Sequence, residues 1–152
     1  MRLWLLAVGK ARSGPHRALY EFYAERLRWP LKLIEVEEKR KLAAEALKAR
    51  EGELLLAQLP KGAILCALDG GGKAESSAGL AGLLGKWQDS GVTDLAFAIG
   101  GADGHGEGLL SRADRKLSLG AMTWPHMLAR GMLAEQLYRA QQILAGHPYH
   151  RE

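Results

Sequence analysis

Residues 116–152 read KLSLGAMTWPHMLARGMLAEQLYRAQQILAGHPYHRE. A short apolar segment, Leu117 to Met122, is broken by Gly120 and followed by Thr-Trp-Pro, which signals the start of a helix. Thr123 or Trp124 is expected at the cap, with Pro125 in the first turn, where a missing N–H costs little. Ala129, Leu133, Leu137, Ala140 and Leu144 then recur at steps of four and three, one apolar stripe along a helix. Glu135 and Arg139 stand at i,i+4 in the favourable order, off that stripe. Gly146 supplies a stop and Pro148 prevents continuation. A helix of this kind must lay its stripe on a larger apolar surface.

The stretch closes with His147-Pro148-Tyr149-His150-Arg151-Glu152, two imidazoles, a phenol and a guanidinium within six residues. Chain ends are usually frayed and bland. One so dense in hydrogen-bonding groups is expected to be docked.

Upstream, apolar runs suited to buried strands alternate with longer helix-period stretches. Leu3 to Val8 reads as a strand, Gly9 to Gly14 as a polar loop, and His16 to Arg28 as a helix stopped by Trp29-Pro30. Leu31 to Val36 alternates as a strand, and Lys39 to Leu59 is a helix weakened by Gly52. Ala63 to Leu68 is a third strand leading into a Gly70-Gly71-Gly72 loop. Ser76 to Ser90 is a helix stopped by Gly91, and Leu95 to Ile99 a fourth strand opening into a second glycine loop. This β-α-β-α order predicts an α/β protein, a mostly parallel sheet with helices on both faces.

Length and composition agree. The 152 residues suit one domain with a real core, 47% hydrophobic and 25% charged. No apolar run is long enough for a membrane helix. Leu3 to Val8 is too short for a signal-peptide core. Cys66, the single cysteine, lies in an apolar run and reads as a buried structural thiol, compatible with a reducing compartment. A net charge of +4 permits an RNA partner without requiring one.

In a parallel sheet ligands sit beyond the carboxyl ends of the strands. Three segments qualify: Leu68-Asp69-Gly70, Gly100 to Gly108, and Leu119 to Trp124. Five glycines in the nine positions 100–108 serve a plain turn or a nucleotide cradle equally well, and form neither a Walker A loop nor a well-placed GxGxxG. Asp69 and Asp103 fit turn-capping roles as well as site roles. The five histidines lack a ligand set with metal spacing, so no metal is expected. No Gly-x-Ser-x-Gly elbow supports a hydrolase, and Ser76-Ser77 reads as a helix cap. Lys10, Arg12, Arg17, Arg26 and Arg28 read as ordinary surface charge, with a phosphate-binding face as the sharper alternative.

The segments IGGADG, SLGAMTWPHMLAR, EQLYRA and HPYHRE resemble the RlmH-type ribosomal RNA large-subunit methyltransferases of the SPOUT superfamily, and the similarity runs from RLWLLAVGK to the last residue. The resemblance implies a SPOUT fold with a C-terminal trefoil knot, S-adenosylmethionine as cofactor, a cytoplasmic homodimer, and methylation of N3 of a pseudouridine in large-subunit (23S) rRNA on assembled ribosomes. By position it implies cofactor contacts at Leu68, Gly100, Leu119, Gly120, Ala121, Met122, Thr123 and Trp124, the same three loops. Gly100 and Gly120 would allow close backbone approach. Ala102, the extra glycines 104, 106 and 108, and Trp124 depart from the usual pattern. Candidates for handling the acceptor base are His147, Tyr149, His150 and Arg151, with Arg139 on the preceding helix. Arg151 or Arg139 suits phosphate or developing negative charge, and Tyr149 and His150 suit positioning the base or accepting its proton. Two rivals carry different chemistry: a non-enzymatic ribosome-binding factor, and a flavodoxin-like nucleotide-binding protein.

Overall fold

A computed structural model describes residues 1–151. Five strands form one parallel sheet in the order β2-β1-β4-β3-β5: β1 Arg2–Val8, β2 Leu31–Val36, β3 Ile64–Lys73, β4 Asp94–Ile99 and β5 Arg115–Leu117. The helices are α1 Pro15–Ala24, α2 Ala44–Ala57, α3 Ser77–Asp89, α4 Glu107–Arg112 and α5 His126–Leu144.

Both faces of the sheet are covered, which is why its central strands are nearly continuous apolar runs. All six residues of β4 are buried. Strand alternation sorts β1 between two cores: Leu3, Leu5 and Ala7 pack with Tyr20, Leu84, Leu133 and Leu137 of α1, α3 and α5. Leu6 and Val8 point the other way, toward Leu55 of α2 and Leu109 of α4. Cys66 is buried in the first core, and that burial pushes its thiol up to about 12, which makes it inert.

Several boundaries differ from the sequence expectation for identifiable reasons. Helix α1 ends at Ala24, before Arg28, because Gln141 of α5 takes over the backbone that follows: its Oε1 accepts from Arg28 N–H at 2.8 Å and its Nε2 donates to Arg26 O at 3.0 Å. Helix α2 starts at Ala44, not Lys39, since Glu38 accepts from Arg40 N–H at 2.9 Å and holds that segment in a turn. Helix α2 runs unbroken through Gly52, where a Cβ would sit 3.5 Å from Leu109 Cβ, an ordinary contact with α4. The glycine run 70–72 is strand, not loop. At Gly72 a Cβ would lie 2.6 Å from the carbonyl carbon of Lys116, so only glycine lets β5 lie alongside. β3 therefore continues past a register shift to pair Lys73 with Leu117.

The last strand is Arg115–Leu117, and Leu119 to Trp124 follow it as loop, as expected. Neither Thr123 nor Trp124 caps α5. Pro125 occupies the cap with no side-chain hydrogen bond, and Trp124 turns back so that its Nε1–H donates to Leu119 O at 3.1 Å. The expected stripe is buried at Ala129, Leu133, Leu137 and Ala140, whereas Leu144 is 45% exposed. Ser76 caps α3 as expected, its Oγ accepting from Gly79 N–H at 2.9 Å.

Candidate functional site

Because β1, β3, β4 and β5 all run the same way, the loops at their carboxyl ends gather along one edge of the sheet. Leu68, Asp69 and Gly70, which lie within β3 at its register shift rather than beyond it, and the loops after Ile99 and Leu117 enclose a cleft of about 330 Å³. Leu68, Gly100, Leu119, Gly120, Ala121, Met122, Thr123 and Trp124 all line it. Leu68, Ile99, Leu117, Leu119 and Ala129 give apolar walls, and Asp69 adds a carboxylate. Met122 and Trp124 are 75% and 39% exposed, apolar surface left open beside the cleft. The size falls in the range of small-molecule sites, about 300–1,000 Å³.

The loops are held by their own hydrogen bonds. Asp69 Oδ2 accepts from Gly71 N–H at 3.0 Å, a local bond within β3 at its register shift rather than in a turn. Ser118 Oγ donates to Gly120 O at 3.1 Å and accepts from Gly120 N–H at 3.2 Å. Gly120 takes φ +105, a conformation that excludes other side chains, although the space beside it is open. Gly100 is needed for a different reason. A Cβ there would lie 2.9 Å from the carbonyl carbon of Gly104, so closure of its own loop already requires glycine. Beneath the loop His105 is buried, and its Nε2 lies 3.1 Å from Ala98 O. A carbonyl can only accept, so Nε2 carries the proton. Burial holds the imidazole below its ordinary pKa, in the neutral form of a structural peg.

Of the closing hexapeptide, residues 147–151 are described, and none of them lines this cleft. The tail lies instead along α5. Tyr149 packs edge-on against Tyr138 with ring centroids 4.9 Å apart, and its hydroxyl donates to Glu135 Oε1 at 3.1 Å. Arg139 pairs with Glu135, its guanidinium lies 5.0 Å from the Tyr149 ring centroid, and its Nη1 donates to His150 Nδ1 at 3.2 Å. That contact fixes the His150 tautomer, because a guanidinium only donates and Nδ1 must accept, so Nε2 bears the hydrogen. Burial and the bonds to Tyr23 and Glu135 hold the Tyr149 phenol well above its ordinary range, which disfavours it as a proton acceptor. His147 is exposed and accepts from Tyr149 N–H at 3.2 Å. Arg151 is exposed, and Glu152 lies outside the described residues.

Two groups carry more than the sequence reading gave them. Glu135 looked like half of a surface pair and is the acceptor shared by Arg139, Tyr149 and, through Oε2, Gln136. Arg130 was not singled out, yet only 2% of it is exposed. A charge between the stripe residues Ala129 and Leu133 was the available signal. Among the described residues no group of three or more His, Cys, Asp or Glu could hold a metal ion, and no helix is long and apolar enough to cross a membrane.

A parallel sheet with a nucleoside-sized cleft at its carboxyl edge and a polar tail clamped to its last helix is an α/β fold organised for a small, partly apolar ligand. Comparison with known proteins narrows that class. A family model described as predicted SPOUT methyltransferase matches residues 1–150, and the chain belongs to that family. A protein of Rhodospirillum centenum is 61% identical over 151 residues, covering 99% of both chains. Proteins of Rhodospirillum rubrum and Paramagnetospirillum magneticum are 60% and 59% identical over the same coverage. All three carry the name ribosomal RNA large subunit methyltransferase H.

Proposed function

We propose that this enzyme transfers a methyl group from S-adenosylmethionine to N3 of a pseudouridine in large-subunit (23S) rRNA, acting in the cytoplasm on assembled ribosomes. The observation that carries the reading is the single cleft formed by three segments distant in sequence, in a chain whose relatives, matched over 99% of their length, bear that methyltransferase name. The residues present suit the cofactor. Leu68, Ile99, Leu117 and Leu119 form walls for a purine, and loop backbone groups can hydrogen-bond its edge. Asp69, which lines the cleft, would offer a carboxylate to the positively charged groups of the cofactor. When bound, S-adenosylmethionine supplies an electrophilic methyl group, so no metal and no covalent protein intermediate are needed.

The acceptor N3–H is weakly acidic, and the protein must orient the ring and stabilise the charge left as the proton departs. Arg139, fixed by Glu135, offers a positive charge beside the tail, and His150 presents Nε2–H as a donor to a ring carbonyl. Tyr149, neutral and bonded to Glu135, positions the tail, and exposed Arg151 is free to meet a phosphate. Since no described tail residue reaches the cleft of its own chain, a homodimer in which one protomer's tail meets the other's cleft completes the centre. The whole chain then works as one SPOUT domain, with the family's trefoil knot tying the last loops to the sheet.

Calorimetry with the intact chain and with a chain lacking Tyr149 to Glu152 tests this directly. Both are expected to bind S-adenosylmethionine with similar affinity, while only the intact chain methylates ribosomes. Preference for a mononucleotide over S-adenosylmethionine would favour a flavodoxin-like binder. Ribosome binding without affinity for either ligand would favour a non-enzymatic factor. Full turnover by the shortened chain would remove the tail from the mechanism.

A further inference from the structure

A second cavity, of about 470 Å³, opens at the carboxyl end of β1. The loop 10–14, the first turn of α1, and Glu35, Met127 and Arg130 contribute to its walls. Four cations line it, Lys10, Arg12, Arg17 and Arg130, against two carboxylates, Glu21 and Glu35. Both carboxylates are engaged: Glu21 by Arg17 at 2.7 Å, Glu35 by Arg130 Nη1 at 2.6 Å and by Ala11 N–H at 2.7 Å. Among the described residues Lys10 and Arg12 form no ion pair. The cavity therefore keeps uncompensated positive charge.

Two further features point to an anion. Helix α1 begins here with no side-chain cap and no acidic residue in its first turn, and the proline at its start has no N–H. His16 and Arg17, both lining the cavity, bring the first free backbone donors of that helix. Independently, Arg130 is 98% buried, with Nη1 on Glu35 and Nη2 donating to Val8 O at 3.2 Å and Gly9 O at 2.9 Å. Its Nε–H is buried without an acceptor. A buried donor left unmatched is uncommon and calls for a partner.

We infer that this cavity is a phosphate-binding site, and that its occupant is a backbone phosphate of the RNA substrate. Its position favours RNA over a free ion. A Cβ on Gly9 would lie 3.2 Å from Met127 Cε and 3.9 Å from His126 Nε2. Met127 lines this cavity and His126 lines the cofactor cleft, so the two open side by side at the start of α5. A nucleotide held beside the cleft would place a neighbouring phosphate here, seated on Arg130 and the α1 amides and gripped by Lys10 and Arg12. This role rests on the methyltransferase reading for its RNA, but the site itself does not need methylation.

The test uses the full chain, wild type and the double variant Lys10→Glu, Arg12→Glu, in two measurements. Binding to large ribosomal subunits is followed across salt concentrations, and the Arg130 Nε–H and the His16 and Arg17 amide resonances are followed as inorganic phosphate or a short RNA stem-loop is added. The variant is expected to bind subunits at least about tenfold more weakly, with a log K against log salt slope shallower by roughly one to two. Its affinity for S-adenosylmethionine should match wild type. In wild type the stem-loop should shift the three resonances at far lower concentration than phosphate does. Shifts by inorganic phosphate that the stem-loop neither reproduces nor displaces would overturn the RNA assignment. Unchanged subunit affinity and slope, or resonances indifferent to both probes, would overturn the site. A wild-type chain that shows these effects yet transfers no methyl group would keep the phosphate site and sink the proposed function alone.

Discussion

Tyr149 and Asp94 show how single side chains set the chemistry and the stability of this fold. The Tyr149 phenol is surrounded by Tyr138, Arg139 and Glu135 and stays protonated through the neutral range. Its contribution is therefore geometric. Tyr149→Phe is expected to lower methyl transfer about tenfold, roughly 1.4 kcal/mol, with an unchanged pH–rate profile between pH 6 and about 9. A limb that disappears with the hydroxyl would show that the phenol titrates during turnover. Asp94 accepts two bonds from Arg2, at 2.9 and 2.8 Å, and one from Trp4 Nε1 at 2.9 Å, tying the first strand to the fourth. Arg2, against the opposing effect of burial, holds this carboxyl below its ordinary range. A depressed folded-state pKa contributes stability above the unfolded value, about 3.9, and loses it as pH falls through the folded one. Asp94→Asn should therefore flatten the decline in denaturation midpoint below about pH 4. Asp94→Ala, which leaves the indole N–H without an acceptor, should cost on the order of 1–3 kcal/mol at pH 7.

Elements were legible where burial imposes a period and obscure where backbone contacts decide. Leu31–Val36 and the buried stripe of α5 follow from periodicity, since one face must be apolar in each. The continuation of β3 through Gly70 to Gly72 did not. Glycine normally signals a turn, and only the approach of Lys116 explains its presence within a strand. Helix α4 is six residues long and hidden beside a glycine-rich stretch. Gln141, which ends α1, acts from 113 and 115 residues away. Gly72→Ala should displace β5 and the Ser118–Gly120 bend behind it. The expected result is a lower denaturation midpoint together with weaker binding of S-adenosylmethionine. Wild-type affinity in this variant would show that the cleft does not depend on the β3–β5 pairing.

At the scale of the whole molecule, the order β2-β1-β4-β3-β5 brings the Leu68–Gly70 part of β3 and the loops after β4 and β5 to one edge. The segments after β4 and β5 could be selected from sequence because strand ends are where parallel sheets bind ligands, whereas Leu68 to Gly70 were selected as a strand end and prove to lie within β3. That the three are neighbours depends on topology, which periodicity does not encode. The proposed knot and dimer lie further still from sequence physics. Unknotted connections are the ordinary expectation, and the sequence pattern of a helix face does not say which copy covers it. The tail shows the same limit: its density of polar groups foretold docking, and only coordinates reveal the face of α5 as the place. The central claim is that this cleft and this tail together methylate one base of the large subunit. Incubating the protein and tritiated S-adenosylmethionine with ribosomes that lack the modification, then mapping the labelled nucleotide, tests it most directly. The account predicts label confined to N3 of a single large-subunit pseudouridine; no incorporation above a protein-free control, or label on another class of RNA, would contradict it.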